Sequence, residues 1–321
     1  MTPHSGAKDS SSSGASAQVG PRELTLEDYR ELLAVPPPGV RLHSLDDGGI
    51  RGLSMLLLLR GLMAWVYEIS GDSTLLCDYF DMIGGSGTGG FIALLLGRLR
   101  LSVDNAIICC TRFVERVLVR TKSDGTFKTA PFEGVLRDIS DRFRECDDTP
   151  LQESGRIQCK TFVCTRRNDG RNFMAHKLRT YTHPIETYIP YTFIEAARAT
   201  MGNPAFFERM NIAAAPNAKF SDAGGDHYSP VFDLYEEYLA IYPSRRMSYC
   251  LSLGPGRAQT IDSAPSPERC DSIAATFMQE HGDFDGLGGF YRMNLDQGIH
   301  DGTMARWEQK GILGKFTNEY L

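Results

Sequence analysis

Two segments of this chain share a plan that few architectures can accommodate: a short apolar run enters a glycine-rich turn and leaves as a long apolar helix. In the first, VRLHSLD (Val40–Asp46) runs into DDGGIRG (Asp46–Gly52) and continues as LSMLLLLRGLMAWVYEI (Leu53–Ile69). In the second, CDYFDMI (Cys77–Ile83) runs into GGSGTGG (Gly84–Gly90) and continues as FIALLLGRL. Short apolar runs bounded by turn signals suit buried strands, and Leu- and Met-rich stretches of this length suit helices. KTFVCTRR (Lys160–Arg167) and MSYCLSLG (Met247–Gly254) read as further strands, and TFIEAARATM (Thr192–Met201) as another helix. Strands alternating with helices predict an α/β fold with a mostly parallel sheet.

The two ends of the chain read differently. Residues 1–20 are rich in Ser, Gly and Ala, a composition expected to be disordered. Residues 21–39 carry a short amphipathic helix, Leu24–Val35, capped by Thr25 and stopped by Pro36-Pro37-Pro38. The domain proper is expected to span 40–321. Within it, Gly254–Glu268 forms a surface loop, and FYRMNLDQGIHD with a final helix through Leu321 caps the same domain.

With 321 residues, 42% hydrophobic and 23% charged, the chain has material for a real core, which excludes disorder over most of its length. Its net charge of −6, from 34 Lys+Arg against 40 Asp+Glu, argues against a nucleic-acid partner or a strongly basic membrane patch. No apolar run reaches the roughly 18–20 residues of a bilayer span, and the N-terminus lacks the layout of a signal peptide, so no transmembrane segment is expected. The eight cysteines (77, 109, 110, 146, 159, 164, 250 and 270) are dispersed without a CxxC pair. They read as buried thiols of a cytoplasmic protein with no structural zinc.

Three segments carry residues suited to chemistry. DDGGIRG leaves backbone N–H groups free at the start of a helix, where they can hold a phosphate or a developing oxyanion; its glycines serve equally well to make a tight turn. GGSGTGG fits two mechanisms. It has the outline of a G-x-S-x-G nucleophile elbow, and Gly85, Gly87 and Gly90 also satisfy the G-x-G-x-x-G dinucleotide fingerprint. The fingerprint needs an acid at the end of a second strand, and Asp104, at the right distance, follows a helix instead. In FSDAGGDHYSP (Phe220–Pro230), Asp222 reads either as a catalytic carboxylate or as a turn former, and His227 either as a nearby base or, more commonly for a lone His in a polar loop, as surface decoration.

Together, DDGGIRG, GGSGTGG and DAG with their flanking strands, TFVCTRR, AARATMGNPAFF and FYRMNLDQGI resemble the patatin-like phospholipase family in its fungal form. The likeness runs from about Val40 to Leu321. It implies a three-layer α/β/α sandwich that cleaves lipid acyl esters with a Ser–Asp dyad and needs no metal or other cofactor. It also implies a lipid or fatty-acyl ester as ligand and peripheral contact with membranes. The family's elbow, G-T-S-T-G-G, aligns its serine with Gly87, between Gly85 and Gly89, and a glycine has no oxygen to acylate. The dyad acid aligns with Asp222, followed by Ala223 where the family has glycine, and Ser229-Pro230 stands for the usual Asn-Pro. The oxyanion loop, D-G-G-G-x-R-G, aligns with Gly48, Gly49, Ile50 and Arg51, but Asp47 replaces its first glycine. A carboxylate there opposes the charge the loop should stabilise.

The resemblance thus implies a domain with absent or impaired catalysis, with the apolar stretches 53–69 and 91–96 as cleft walls. Two alternatives stand beside it: an active hydrolase using Ser86 with Asp222, and a non-enzymatic lipid-binding or signalling module. Ser86 lies one residue early, where strand alternation turns it to the opposite face, and its +2 neighbour is Thr88 rather than glycine. If the missing hydroxyl were the whole defect, Gly87→Ser would raise ester hydrolysis by orders of magnitude.

Overall fold

The computed structural model describes residues 39–119, 121–143, 149–155, 159–170, 173–256, 267–281 and 289–295. The expectations for residues 1–20, for the helix at 24–35 and for the last helix through Leu321 lie outside the described residues. In the first unit, β1 (Val40–Leu45) passes through a 3-10 turn (Gly49–Arg51) into α1 (Gly52–Ser70), which Gly71 ends in the left-handed conformation (φ 73°). In the second, a single helical turn, α2 (Leu76–Tyr79), precedes β2 (Met82–Ser86), and β2 turns directly into α3 (Gly87–Ala93), extended by a π turn at Leu94–Arg98. The strand predicted at 77–83 is therefore corrected. Asp78 accepts the N–H of Leu75 at 3.1 Å and winds Leu76–Tyr79 into a turn, so that the strand begins only at Met82.

After α4 (Val103–Val117) and α5 (Thr129–Arg142) come β3 (Lys160–Asn168), β4 (Phe173–Arg179) and α6 (Phe193–Thr200). Two helix starts follow capping chemistry. Ser102 accepts from the Asn105 N–H, and Thr192 and Glu195 form a reciprocal capping box. The chain continues through β5 (Met210–Ile212), β6 (Ala215–Asp222), α7 (Val231–Ile241), β7 (Met247–Leu253), α8 (Pro267–His281) and β8 (Gly289–Met293). The last strand lies within the segment expected to form a cap.

These strands make one mixed sheet in the order β5-β6-β3-β2-β1-β7-β8, with β4 on the other edge of β3. The run β3-β2-β1-β7-β8 is parallel; β4 and β6 run antiparallel to β3. Alternation along the strands separates two cores. Leu45, Ile83, Val163 and Phe220 pack with α1, α3, α4, α5 and α6, whereas Leu42, Met82, Phe162 and Cys164 pack with α7 and α8. The result is the three-layer α/β/α sandwich.

The segment Gly49–Ser70 corrects the expectation that no stretch is apolar enough to span a bilayer. By length and composition it passes that test, and half of its most apolar window is buried inside the fold. Its N-terminal half lies in the core, while Trp65 and Tyr67 on its outer half are exposed. The seven described cysteines are all buried and free.

On the α7 face, charged side chains cluster around the buried Glu237. Arg179 donates to Glu237 at 2.7 and 2.6 Å and to Glu186 at 2.8 Å through two nitrogens, and the Tyr181 hydroxyl donates to Glu237 at 2.5 Å. Lys177 lies 3.3 Å from Asp233. Removing one member strands its partners in a low-dielectric interior. Glu237→Ala is expected to lower folding stability by ~3–5 kcal/mol, read from the urea denaturation midpoint.

Candidate functional site

The register of β3 decides which residues meet. Its first half pairs with β2, ending at Ser86↔Cys164, and its second half pairs with β6, beginning at Thr165↔Asp222. Since β4 fills the opposite edge, β2 and β6 lie end to end along one edge of β3, and their C-terminal ends converge. The glycine-rich turn after β2 and the Asp222 turn after β6 are thereby brought together. β1 delivers its own turn beside them, because it pairs with β2 up to Leu45↔Gly85.

The turn after β2 has the geometry of an elbow. Gly87 sits at its apex with φ +53°, a left-handed conformation that costs a side-chain-bearing residue ~1–2 kcal/mol. Gly89, one turn into α3, lies so close to the end of β1 that a Cβ would collide with the carbonyls of Leu45 and Asp46. Gly85 is buried within β2.

Space at the apex is taken by another residue. A Cβ built on Gly87 would overlap the Asp47 carboxyl group. Asp47 Oδ1 accepts the N–H groups of Gly48 (2.8 Å), Thr88 (3.0 Å) and Gly49 (3.4 Å). One of these donors follows the apex residue and the other two belong to the loop after β1, the arrangement of an oxyanion hole. The backbone N–H of Asp47 is itself fixed by the Tyr228 carbonyl at 2.8 Å. Burial pushes the Asp47 carboxyl up from its ordinary range, against the pull of the three N–H groups and of the Arg51 charge. Arg51 is buried, its Nε directed at the Gly48 carbonyl at 3.4 Å, and Ile50 lies in the apolar wall nearby. The expectation that Gly87→Ser alone would restore hydrolysis therefore meets a physical obstacle. The added Cβ competes with a carboxyl group that is tied down at three points.

Asp222 is buried, and its Oδ2 has no hydrogen-bond partner among the described residues. Burial, reinforced by the negative charge of Asp47 and opposed by Arg166 and a bond from Asn203, pushes its carboxyl up to about 7. Ser86, the last residue of β2, is also buried. It pairs with Cys164 and Asp222 with Thr165, successive residues of β3 whose side chains alternate, so the register directs Ser86 and Asp222 to opposite faces of the sheet.

His227 is half-buried rather than surface decoration. Its Nδ1 lies 2.8 Å from Asp233 Oδ2, and that bond, ahead of the opposing burial, raises its pKa. It thus belongs to the charged cluster on the α7 face. Asp104 lies in the first turn of α4, away from any strand end.

Three supporting residues escape a reading of the motifs: Asn203 beside Asp222, Tyr228 behind Asp47, and Arg292 of β8, 2.7 Å from the buried Asp46. Only Asn203 has a local signal, the turn-forming Asn-Pro of MGNPAFF.

A cavity of about 20 Å³ opens beside Gly49 and Thr88, walled by Leu53, Phe91, Met201 and Phe207. That is room for about one water molecule. Part of stretches 53–69 and 91–96 does line it, but as packed core rather than an open cleft. A larger cavity, about 1470 Å³, lies at the opposite end of the sheet, around Arg41, Asp81 and Lys160 at the starts of β1, β2 and β3.

An ordinary aspartate releases its proton near 3.8, whereas folded Asp222 does so at about 7. Between these values the native chain holds a proton that the unfolded chain has released, so stability falls as pH rises through the interval. Asp222→Asn should remove this slope. Relative to the variant, the natural chain is expected to lose on the order of 2–4 kcal/mol from about pH 4 to about pH 8, measured by urea titrations at each pH.

No protein-family model matches the chain. Among curated proteins, patatin-like protein 1 of Oryza sativa subsp. indica is 42% identical over 66 residues, covering 21% of this chain and 16% of that protein. Calcium-independent phospholipase A2-gamma of Rattus norvegicus is 26% identical over 255 residues, covering 72% of this chain and 31% of that protein. The matches thus span less than a third of either relative. Among solved structures, VipD from Legionella pneumophila aligns over 88% of this chain and 66% of its own, with a TM-score of 0.39 and 8% identity. The sequence relatives, together with the ordered motifs of the β1 and β2 turns, make this chain similar to patatin-like proteins.

Proposed function

We propose that this chain is a patatin-like domain that does not hydrolyse lipid acyl esters. The observation that carries this reading is the occupant of the elbow apex: Gly87 supplies no oxygen, and the Asp47 carboxyl fills the space where a nucleophilic side chain would stand. The ligand class is a lipid or fatty-acyl ester, in keeping with the phospholipase named among its relatives. Contact with lipid is peripheral, and Trp65 and Tyr67, about half exposed on α1, are the aromatic side chains suited to a membrane interface. The seven buried, free thiols among the described residues support a cytoplasmic setting.

The competing reading, an active enzyme using Ser86 with Asp222, is disfavoured by a register that turns the two side chains to opposite faces. A non-enzymatic interaction module is favoured, in turn, by the nearly filled cavity beside the site. The natural chain is expected to show no hydrolysis of p-nitrophenyl butyrate above buffer and no labelling by a fluorophosphonate, with Ser86→Ala indistinguishable from it. Labelling that disappears in Ser86→Ala would establish the active enzyme instead. Sedimentation with phosphatidylcholine vesicles separates the remaining two: co-sedimentation that falls in Trp65→Ala supports lipid contact, and none at all supports a protein-binding role.

A further inference from the structure

Loss of a nucleophile and closure of an oxyanion pocket are different defects, and the site carries both. The Gly48, Gly49 and Thr88 N–H groups converge on one point, and the oxygen at that point belongs to the chain itself. We infer that these three N–H groups form a binding site for a single carboxylate, whose resident ligand is the Asp47 side chain, and that Asp47 excludes external carboxylates and acyl esters independently of the missing hydroxyl at Gly87. The catalytic arm of the inference rests on the patatin-like reading; the binding arm does not.

Three features support a built site rather than a chance turn. The Asp47 backbone is pinned from behind by the Tyr228 carbonyl, so the carboxyl is held in place and does not swing freely. The buried Arg51 charge favours an anion at this point, against the like charge of Asp222 nearby. Beyond Gly49 and Thr88 the wall is wholly apolar, formed by Leu53, Phe91, Met201 and Phe207. Polar donors at one end and an apolar wall at the other suit a short aliphatic carboxylate, which would set its charge where Asp47 Oδ1 now sits, its first methylene in the space the Asp47 side chain vacates, and only its end in the small cavity against that wall.

Occupancy and simple charge repulsion make opposite predictions for an amide. An asparagine oxygen still accepts the same N–H groups, so Asp47→Asn remains plugged although it has lost the charge, whereas Asp47→Gly vacates the pocket. Calorimetric titration of the full chain with sodium butyrate, with butylamine as the control of opposite charge, tests this. The natural chain and Asp47→Asn are expected to give no saturable heat. Asp47→Gly, verified as folded by its thermal transition, is expected to bind butyrate one to one and butylamine not at all. Asp47→Ala carries the same expectation if the glycine variant does not fold. Butyrate binding by the natural chain, equal binding by Asp47→Asn and Asp47→Gly, or none by a folded Asp47→Gly or Asp47→Ala would each overturn the proposal.

The catalytic arm compares Gly87→Ser with the double variant Asp47→Gly/Gly87→Ser on p-nitrophenyl butyrate. Emptying an oxyanion hole of its blocking group should matter about as much as supplying a donor, so the double variant is expected to exceed the single one by at least ~10²-fold. If Asp47→Gly binds butyrate while the double variant stays inactive, the carboxylate site stands, and the assignment of Gly87 and Asp222 to a Ser–Asp dyad falls.

Discussion

The whole site depends on one strand being longer than its neighbour. β3 continues four residues past the end of β2, and β6 occupies the edge that β2 leaves vacant. Hydrogen bonding along that edge cannot be interrupted cheaply inside a sheet, because unpaired N–H and C=O groups buried there cost about as much as a lost hydrogen bond each. The C-terminal ends of β2 and β6 are therefore driven toward each other, carrying the elbow and the Asp222 turn to a common place. With β1 in register against β2 on the far side, three turns from distant parts of the sequence are assembled by backbone pairing alone. No catalytic side chain is needed to hold them there.

Within that frame Asp47 and Gly87, the two residues that differ from the patatin-like pattern, are coupled in space. Asp47 can lie across the elbow because Gly87 has no Cβ, and a residue with a Cβ at position 87 would displace the Asp47 carboxyl from its three donors. The energetics favour the pairing. A buried carboxylate pays several kcal/mol in lost hydration, and hydrogen bonds to a charged group return ~1.5–3 kcal/mol each. Three N–H groups and the Arg51 charge come close to covering that loss. The cost that remains shows in the raised pKa of Asp47, and the charge of Asp47 adds to burial in raising that of Asp222. An elbow hydroxyl and this carboxyl are thus alternative occupants of one volume.

How much of this the sequence disclosed follows from which interactions are local. β1, the two glycine turns, β3, α6 and β7 are legible because each is a continuous apolar run bounded by its own turn chemistry. β4, with Lys177 and Arg179, carries charges where a core strand would be apolar. These are tolerated because Asp233 and Glu237 of α7 meet them, a partner that no local pattern announces. The same non-local pairing turns His227 from an apparent surface residue into a half-buried one. At the site, the family resemblance pointed to Asp47, Gly87 and Asp222 and to a charge conflict between Asp47 and an oxyanion. It did not disclose that the carboxyl itself occupies the hole, because that depends on where the β1 turn lies relative to the α3 N-terminus. Two parallel strands in register fix that relation, and register is invisible in a linear string.

Glycine-rich motifs of this kind are therefore poor reporters of chemistry. Gly89 is required by the close approach of α3 to the end of β1, where any Cβ would strike the carbonyls of Leu45 and Asp46. Gly84, inside β2, is likewise required by the ring of Phe162 on the adjoining strand. These constraints come from packing α3 onto a parallel sheet and persist whether or not an ester is ever cleaved. Selection for a stable three-layer fold is sufficient to retain most of GGSGTGG, whatever residue stands at the apex. The position that does report on chemistry is the apex, where the backbone conformation is strained for every residue but glycine. An enzyme bears that strain to present an oxygen; here, with no oxygen to present, glycine at position 87 relieves it.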